Sequence, residues 1–260
     1  MKPALAKAAA GFLAEAWQMG MTLRELPPEC RPRNAAEAYR IQDLLAAELD
    51  MPIGGWKIGC TSRAARRIMN ARGPFAGRVL GTRIFASGAT LPAAGYRMRG
   101  LEGEFAFRLA RDLPRRARRY RRTEVRDAIA ALYPAIEVID SRFTDWLNVN
   151  LPSVIADQGG NGALVLGAPV KGWRRLDLTK QAARMIVNGK VVGAGTGADC
   201  MGDPLAALVW LANLMRRRGG LAAGQVISTG TCTSFHRAGP SDSAVADFGR
   251  MGKVALKFSP

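Results

Sequence analysis

Apolar residues recur at helical spacing near the start of the chain. Across residues 4–18, alanine, leucine and phenylalanine recur at i, i+3 and i+4 intervals, which predicts an amphipathic helix. A second helix is predicted from Asn34, a good N-cap residue with Glu37 as its capping-box partner, to about Leu49. We therefore expect a helical N-terminal segment over residues 1–52, which precedes the main domain.

From residue 53 onward the pattern changes to short runs that alternate with a period of two, as β-strands do. The dipeptide Asn188-Gly189 lies between two apolar runs and predicts a two-residue hairpin. Further strands are predicted at residues 54–60, 79–80, 84–85, 101–107, 134–140, 163–167, 225–228, 243–248 and 253–258. Residues 53–260 are thus expected to form a β-rich mixed body of the α+β class.

Fewer helices are predicted within this body. Thr123 is expected to begin a helix that continues to about Leu132 and is stopped by Pro134. Asp203 and Pro204 supply an N-cap and a first helical residue for another helix. Residues 61–77 are predicted to form a mobile loop or a short helix, and residues 144–163 a long loop.

Acidic side chains occur inside two of the predicted strands. Glu102 and Glu104 lie on one strand face, about 6–7 Å apart at Cα, and Glu137 interrupts the apolar run 134–140. Arginine ion pairs could satisfy these acids, and so could a divalent cation, for which an all-oxygen ligand set favours Mg²⁺ or Mn²⁺, with Ca²⁺ possible. Lys57, flanked by glycines on another apolar strand, is expected to face solvent or an anion. With such an ion, these residues could bind a 2-oxo acid and stabilise its enolate.

Composition narrows the classes of function. The four cysteines are widely spaced and the chain has one histidine, which disfavours a zinc site and favours reduced thiols. No apolar run approaches the roughly 20 residues of a membrane span, and the N-terminus lacks a secretory signal pattern. We therefore expect a cytoplasmic protein that does not enter membranes.

The net charge of +17 is concentrated between Arg108 and Arg126. This stretch could bind nucleic acid, or it could be a solvated arginine-rich loop between a strand and a helix. Because only Tyr120 interrupts the arginines with an aromatic ring, base stacking has little support and a nucleic-acid partner is not expected. A basic surface would also steer small anionic substrates toward the protein.

Taken together, the motifs resemble those of the fumarylacetoacetate hydrolase superfamily, and within it the 2-keto-4-pentenoate hydratase and 4-oxalocrotonate decarboxylase branch. The resemblance covers nearly the whole chain in order. The matching segments are Gly55–Ser62, Glu102–Glu104, Pro134–Asp140, Asp157–Gly167, Trp210–Asn213, Gly224–Ile227 and Asp247–Gly252. Any one of them alone would be unspecific.

The resemblance implies a mixed β-sheet roll around a central cavity, with the helical segment in front of it. It implies homo-oligomers that act on products of aromatic-ring cleavage. For the site it implies Mg²⁺ or Mn²⁺ on three glutamates, a catalytic lysine, and substrate contacts from three further residues. In this chain these are Glu102, Glu104 and Glu137 for the metal, Lys57 for catalysis, and Thr231, Asp157 and Asn161 for the substrate.

Two departures from the branch affect the predicted reaction. The hydratases carry acidic residues in the stretch that corresponds to Pro74–Phe85, and this chain has none there. The usual Gly-Ser-Phe-Thr is replaced by Gly230–Thr233. The metal and lysine side of the site is therefore expected to be intact, whereas the side that sets specificity and handles protons is altered.

Three hypotheses follow. The first is a metal-dependent lyase, a hydratase or a decarboxylase, acting on a 2-oxo or 2-hydroxydienoic acid such as 2-hydroxypenta-2,4-dienoate. The second is a C–C hydrolase of acylpyruvate-like substrates. The third is a non-catalytic basic scaffold that binds polyanions, as a fold alone does not determine function.

Overall fold

Two β-sheets form the body of the chain in the computed structural model, which describes residues 1–260. The helices are α1 (Pro3–Gln18), α2 (Ala35–Glu48), α3 (Arg63–Ile68), α4 (Arg122–Asp127), α5 (Leu151–Ala156) and α6 (Pro204–Met215). The strands are β1 (Ile53–Gly59), β2 (Phe75–Leu80), β3 (Ile84–Ala86), β4 (Ala89–Pro92), β5 (Gly100–Leu109), β6 (Ile129–Ile139), β7 (Asn161–Leu166), β8 (Ala182–Val187), β9 (Lys190–Thr196), β10 (Val226–Thr231), β11 (His236–Arg237), β12 (Ser243–Asp247) and β13 (Lys253–Ser259).

Both sheets contain parallel and antiparallel neighbours. The larger has the order β2-β1-β10-β5-β6-β7-β3, with β11 also paired to β5, and the smaller has the order β4-β13-β12-β8-β9. The parallel pairs are β1 with β10, β3 with β7, and β4 with β13. Phe105 of β5 meets Phe248 edge to face at a ring-centroid distance of 5.2 Å, within the main hydrophobic core. The predicted α+β class with mixed sheets is confirmed.

The N-terminal helices pack against each other, and α2 also packs on α5. Asn34 caps α2 by accepting a hydrogen bond from the Glu37 backbone N–H, as predicted. The Glu37 carboxylate, however, accepts from the backbone of Arg33 rather than from that of Asn34. Buried residues of both helices belong to the same core as the sheet residues. The division into segments 1–52 and 53–260 therefore stays a prediction.

The helix predicted from Thr123 to Leu132 is wrong in its second half. Helix α4 ends at Asp127, and residues from Ile129 onward belong to β6. The alanine-rich sequence favours a helix locally, but pairing with β5 along almost its whole length overrides that preference. Pro134 consequently lies inside a strand, where its carbonyl accepts from the Gly167 N–H.

Residues 144–163 are not one long loop. They contain α5, whose N-cap Asn150 accepts from the Ser153 N–H, and the start of β7. Residues 61–77 contain the short helix α3, as one of the two alternatives predicted, but β2 already begins at Phe75. The hairpin at Asn188-Gly189 is confirmed, with both residues at positive φ.

The arginine-rich stretch forms a largely exposed connection between β5 and α4, followed by α4 itself. Arg116 stacks over the Tyr120 ring at 3.5 Å from its centroid and pairs with Glu124 at 2.8 Å. Tyr120 itself is buried, so its ring is unavailable for stacking on a base. None of the helices combines the length and the hydropathy that crossing a membrane requires.

Candidate metal and substrate site

The three predicted acidic residues meet on one face of the larger sheet. Antiparallel pairing of β5 with β6 sets Glu102 directly opposite Glu137. Strand alternation then brings Glu104, two residues along β5, onto the same face. One carboxylate oxygen from each of the three residues lies within 4.8 Å of the other two. The convergence predicted from the sequence is therefore present.

Two of the three carboxylates are shielded from water. Glu104 and Glu137 are fully buried, and Glu102 is partly exposed. Burial and the charge of Glu137 raise the pKa of Glu102 to about 7. Burial, Glu137 and Glu102 raise the pKa of Glu104 well above its usual range. Mutually repelling acids of this kind are stabilised by a cation placed between them.

Strand β10 fixes the orientation of Glu104. Its Oε2 accepts hydrogen bonds from the Ser228 hydroxyl and, at 2.6 Å, from the Gly230 backbone N–H. Gly230 has a φ of 93°, and a Cβ there would lie 1.9 Å from the Thr61 hydroxyl oxygen. Only glycine fits this position, because a side chain would be both strained and obstructed. The remaining oxygen of Glu104 is thus directed to the cluster.

Lys57 reaches the same cluster from β1. Its Nζ lies 3.3 Å from Glu137 Oε1 and donates to the Gly159 carbonyl at 3.0 Å. The side chain is buried, so it faces an anion rather than solvent, which resolves the two alternatives stated above. Burial acts to lower the pKa of Lys57, but the three glutamates outweigh it and the net shift is upward. Phe75, in the stretch without acids, places its ring centroid 5.6 Å from this ammonium.

Asn161 belongs to the cluster, whereas Asp157 points elsewhere. Asn161 Nδ2 donates to Glu137 Oε1 at 2.9 Å. Asp157 is fully buried in an ion pair with Arg142, and its second oxygen accepts from the Ser141 hydroxyl and the Arg142 backbone. Burial raises the pKa of Asp157, although Arg142 opposes the shift. Both carboxylate oxygens are occupied, and a direct substrate contact from Asp157 stays a prediction.

Thr231 lies at the end of β10, opposite Glu104 in the register. Together with Glu102 it lines a cavity of about 280 Å³ that is open to the surface. Its hydroxyl accepts from the Thr233 N–H at 3.3 Å. Thr231 is therefore close to the acidic cluster, and its contact with a substrate stays a prediction.

A divalent cation fits this group of residues. Glu104 Oε1 and Glu137 Oε2 are buried oxygens without a hydrogen-bond partner, as is Asn161 Oδ1. Buried polar atoms are normally satisfied, and a cation coordinated by these oxygens would satisfy them. Because the available donors are all oxygens, three of them from carboxylates, hard ions such as Mg²⁺, Mn²⁺ or Ca²⁺ suit the site better than zinc.

Several residues that shape the site were not singled out from the sequence. Ser228 and Gly230 orient Glu104, Gly159 accepts from Lys57, and Arg142 supports the turn before Asn161 through its bond to the Asn161 carbonyl. Strand β10 has a register irregularity between Ser228 and Thr231, and Gly230 acts through its backbone N–H, so the sequence carried no local signal for the role of Ser228 or Gly230. A bond to the Gly159 backbone leaves no such signal.

Comparisons with known proteins agree with this geometry. Residues 82–258 match the family model described as Fumarylacetoacetate (FAA) hydrolase C-terminal. The chain is 31% identical over 262 residues to the 2-keto-4-pentenoate hydratase of Paraburkholderia xenovorans, covering 99% of this chain and 96% of that protein. It is also 31% identical to the 2-hydroxyhexa-2,4-dienoate hydratase of Comamonas testosteroni, over 95% of each.

The fold is likewise similar to a solved enzyme structure. The 4-oxalocrotonate decarboxylase from Pseudomonas putida G7, complexed with magnesium and adipate, superimposes with a TM-score of 0.90. The two chains are 25% identical, and the match covers 99% of this chain and 98% of that one. A structure of the same decarboxylase with calcium and acetate matches with a TM-score of 0.89.

Proposed function

Because the chain belongs to the fumarylacetoacetate hydrolase family, we propose that it is a metal-dependent lyase acting on a 2-oxo or 2-hydroxydienoic acid, as a hydratase or a decarboxylase. The observation that carries this proposal is the convergence of three buried carboxylates beside a buried lysine. The relatives named as hydratases and the structural neighbour named as a decarboxylase support the same class of chemistry.

Glu102, Glu104 and Glu137 would hold Mg²⁺ or Mn²⁺, which when bound supplies stabilisation of negative charge on an enolate oxygen. Lys57 remains protonated, since the net shift of its pKa is upward, so its Nζ acts as a hydrogen-bond donor. Two of its contacts are to Glu137 and Gly159, which leaves one N–H for a substrate oxygen. The lysine therefore binds and orients an anionic substrate.

Asn161 and Thr231 complete the proposed substrate contacts. The Asn161 amide bonds Glu137 through its nitrogen and keeps its oxygen free to accept from a ligand. The Thr231 hydroxyl lies beside the cavity that adjoins Glu102. Asn161 is buried and Thr231 is half-buried, so the polar contact at Asn161 is the better shielded from water and is strengthened by the low local dielectric.

The test is product analysis on the purified protein. With Mg²⁺ or Mn²⁺ present, we expect 2-hydroxypenta-2,4-dienoate to gain one water, observed as loss of diene absorbance and by mass spectrometry. Release of CO₂ from 2-oxohex-3-enedioate would instead identify the decarboxylase reaction. Cleavage of acylpyruvates without either reaction would contradict the proposal and indicate a C–C hydrolase.

The test needs matched variants. Glu104→Gln removes one ligand charge with little change in size and should abolish metal-dependent turnover, whereas Glu48→Gln, at an exposed position on α2, should leave it unchanged. Unchanged turnover in the first variant would refute the role of Glu104. A homo-oligomeric assembly and a cytoplasmic location are part of the same proposal.

A further inference from the structure

An apolar cavity continues outward from the acidic cluster. Its volume is about 280 Å³, close to the lower end of the roughly 300–1,000 Å³ typical of small-molecule sites. Glu102 belongs both to the cluster and to the cavity wall, so the cavity adjoins the cluster at this residue. The apolar part of the wall consists mainly of Ala65, Ile68, Met69, Trp146, Leu147 and Phe235.

Exposed hydrophobic residues gather around this cavity. Ile68, Leu147 and Phe235 are 67%, 50% and 41% exposed, and these are three of the seven large hydrophobic residues that the chain exposes. Single exposed apolar residues need no explanation, but a cluster of them beside a cavity indicates a binding surface. Exposing them costs free energy that occupation by an apolar group would recover.

The wall is built from elements that the fold holds in place. Phe235 packs closely over Gly100, where a Cβ would lie 2.3 Å from the Phe235 ring. Trp146 faces Phe235 with a ring-centroid distance of 6.2 Å. Helix α3, capped by the Ser62 hydroxyl, buries none of its residues completely and forms the other side. The packing of Phe235 on Gly100 and on Trp146 therefore shapes one side of the cavity, and α3 shapes the other.

The cavity wall carries one negative side chain and no positive one. Its only ionisable lining residue is Glu102, and no lysine, arginine or histidine contributes to the wall. Lys57, the buried cation of the site, is bonded to Glu137 and Gly159. A second carboxylate seated against this apolar wall would meet no lining cation and would lie near the Glu102 carboxylate, which is unfavourable.

We propose that this cavity binds the far end of the substrate, and that the enzyme prefers 2-hydroxydienoic acids with an alkyl substituent there over substrates with a second carboxylate. The inference rests on the proposed function, because it places the 2-oxo acid end at the acidic cluster. This inference specifies the substrate class of the site. A preference for monoacids favours the hydratase reaction over decarboxylation of a diacid.

The test measures binding rather than turnover, with saturated 2-oxo acids that contain no double bond to hydrate. Isothermal titration of the Mn²⁺-loaded protein compares 2-oxopentanoate, 2-oxooctanoate and 2-oxooctanedioate. Each buried methylene should tighten binding about fourfold, so 2-oxooctanoate should bind at least about tenfold more tightly than 2-oxopentanoate. The diacid should bind at least about tenfold more weakly than 2-oxooctanoate. A change in tryptophan fluorescence that is lost in Trp146→Phe provides a second readout of the occupied cavity.

A variant and its control test the assignment of the wall. Leu147→Lys adds a cation at a half-exposed position and should reverse the preference, favouring the diacid. Val191→Lys makes the same change at an exposed residue of β9 outside the cavity and should leave all three affinities unchanged. Equal affinities for the two monoacids, tighter binding of the diacid, or no effect of Leu147→Lys would each overturn the inference.

Failure of the inference and failure of the proposed function give different results. Turnover of 2-hydroxypenta-2,4-dienoate together with equal affinities for the short and long monoacids would overturn only the inference. Graded affinities without turnover of any dienoate or diacid would overturn the lyase function while supporting the apolar-tail preference of the cavity.

Discussion

Replacing Asp157 by asparagine is expected to weaken the fold and, through it, the site. The Asp157 carboxylate is fully buried, and it binds the Arg142 side chain, the Arg142 N–H and the Ser141 hydroxyl. Arg142 in turn donates to the Asp157 carbonyl at 3.0 Å and to the Asn161 carbonyl at 3.2 Å. This ion pair therefore connects both ends of the turn whose Gly159 carbonyl accepts from Lys57.

The expected size follows from burial. Removing one partner of a buried ion pair leaves the other charge uncompensated and costs about 3–5 kcal/mol. For a chain of this length, each kcal/mol lowers the Tm by about 2–4 °C. The Asp157→Asn variant should therefore melt about 6–20 °C below the wild-type protein when both are followed by differential scanning calorimetry.

The same variant separates two roles for Asp157. Asp127→Asn, at an exposed residue that ends α4, is the control and should change the Tm by no more than about 2 °C. If Asp157 instead contacts the substrate, as the family resemblance implies, Asp157→Asn would raise the KM with little loss of stability. A Tm within about 2 °C of wild type would refute the structural account.

Two further predictions test the surroundings of the cluster. Ser228→Ala removes a donor to Glu104 and should weaken Mn²⁺ binding by about 10–100-fold. The control Ser243→Ala, at an exposed position on β12, should leave Mn²⁺ binding unchanged. Equal Mn²⁺ affinities of the two variants would contradict the role of Ser228. Burial raises the pKa of the Cys60 thiol to about 11, so little thiolate exists at pH 8. Alkylation of Cys60 by iodoacetamide, followed by peptide mass spectrometry, should be slow in the native protein and should accelerate as the pH rises toward 11. An alkylation rate of the native protein at pH 8 equal to the rate in denaturant would refute the raised pKa of Cys60.

Local patterns predicted the elements whose signals are strong and self-contained. The strand that carries Glu102 and Glu104, the hairpin at Asn188-Gly189 and the helix capped by Asp203 all occur as expected. In each case alternation, turn chemistry or a cap residue lies within a few residues of the element itself. Such signals do not depend on which distant segment packs against them.

The incorrect elements have two different causes. Residues 129–132 favour a helix by composition but extend β6, because β5 offers a strand to pair with. The missed helix α5 is only six residues long, and its signals were the cap residue Asn150 and Pro152 in its first turn. In the first case tertiary pairing overrode the local preference, and in the second the local signals were present but the segment was short.

For the site, the sequence identified the residue types but not all of their partners. The Glu-x-Glu strand and the glutamate of a second strand indicated a need for partners, since acids are rare in strands, but left arginine ion pairs and a metal as alternatives. The family resemblance assigned all three glutamates to a metal. That Glu102 lies opposite Glu137 depends on the strand register, which required the structure. The orientation of Asp157 toward Arg142 likewise depends on a contact between segments that no local pattern reveals.

The measurement that tests the central claim most directly is calorimetric titration of Mn²⁺ into the metal-free protein and into its Glu104→Gln and Glu48→Gln variants. We predict one bound ion per chain in the wild-type protein and in Glu48→Gln. In Glu104→Gln, binding should be weaker by at least about 100-fold, because one of the three charged ligands is lost. Equal Mn²⁺ affinity in Glu104→Gln, or no binding to the wild-type protein, would contradict the assignment of Glu102, Glu104 and Glu137 as a metal site.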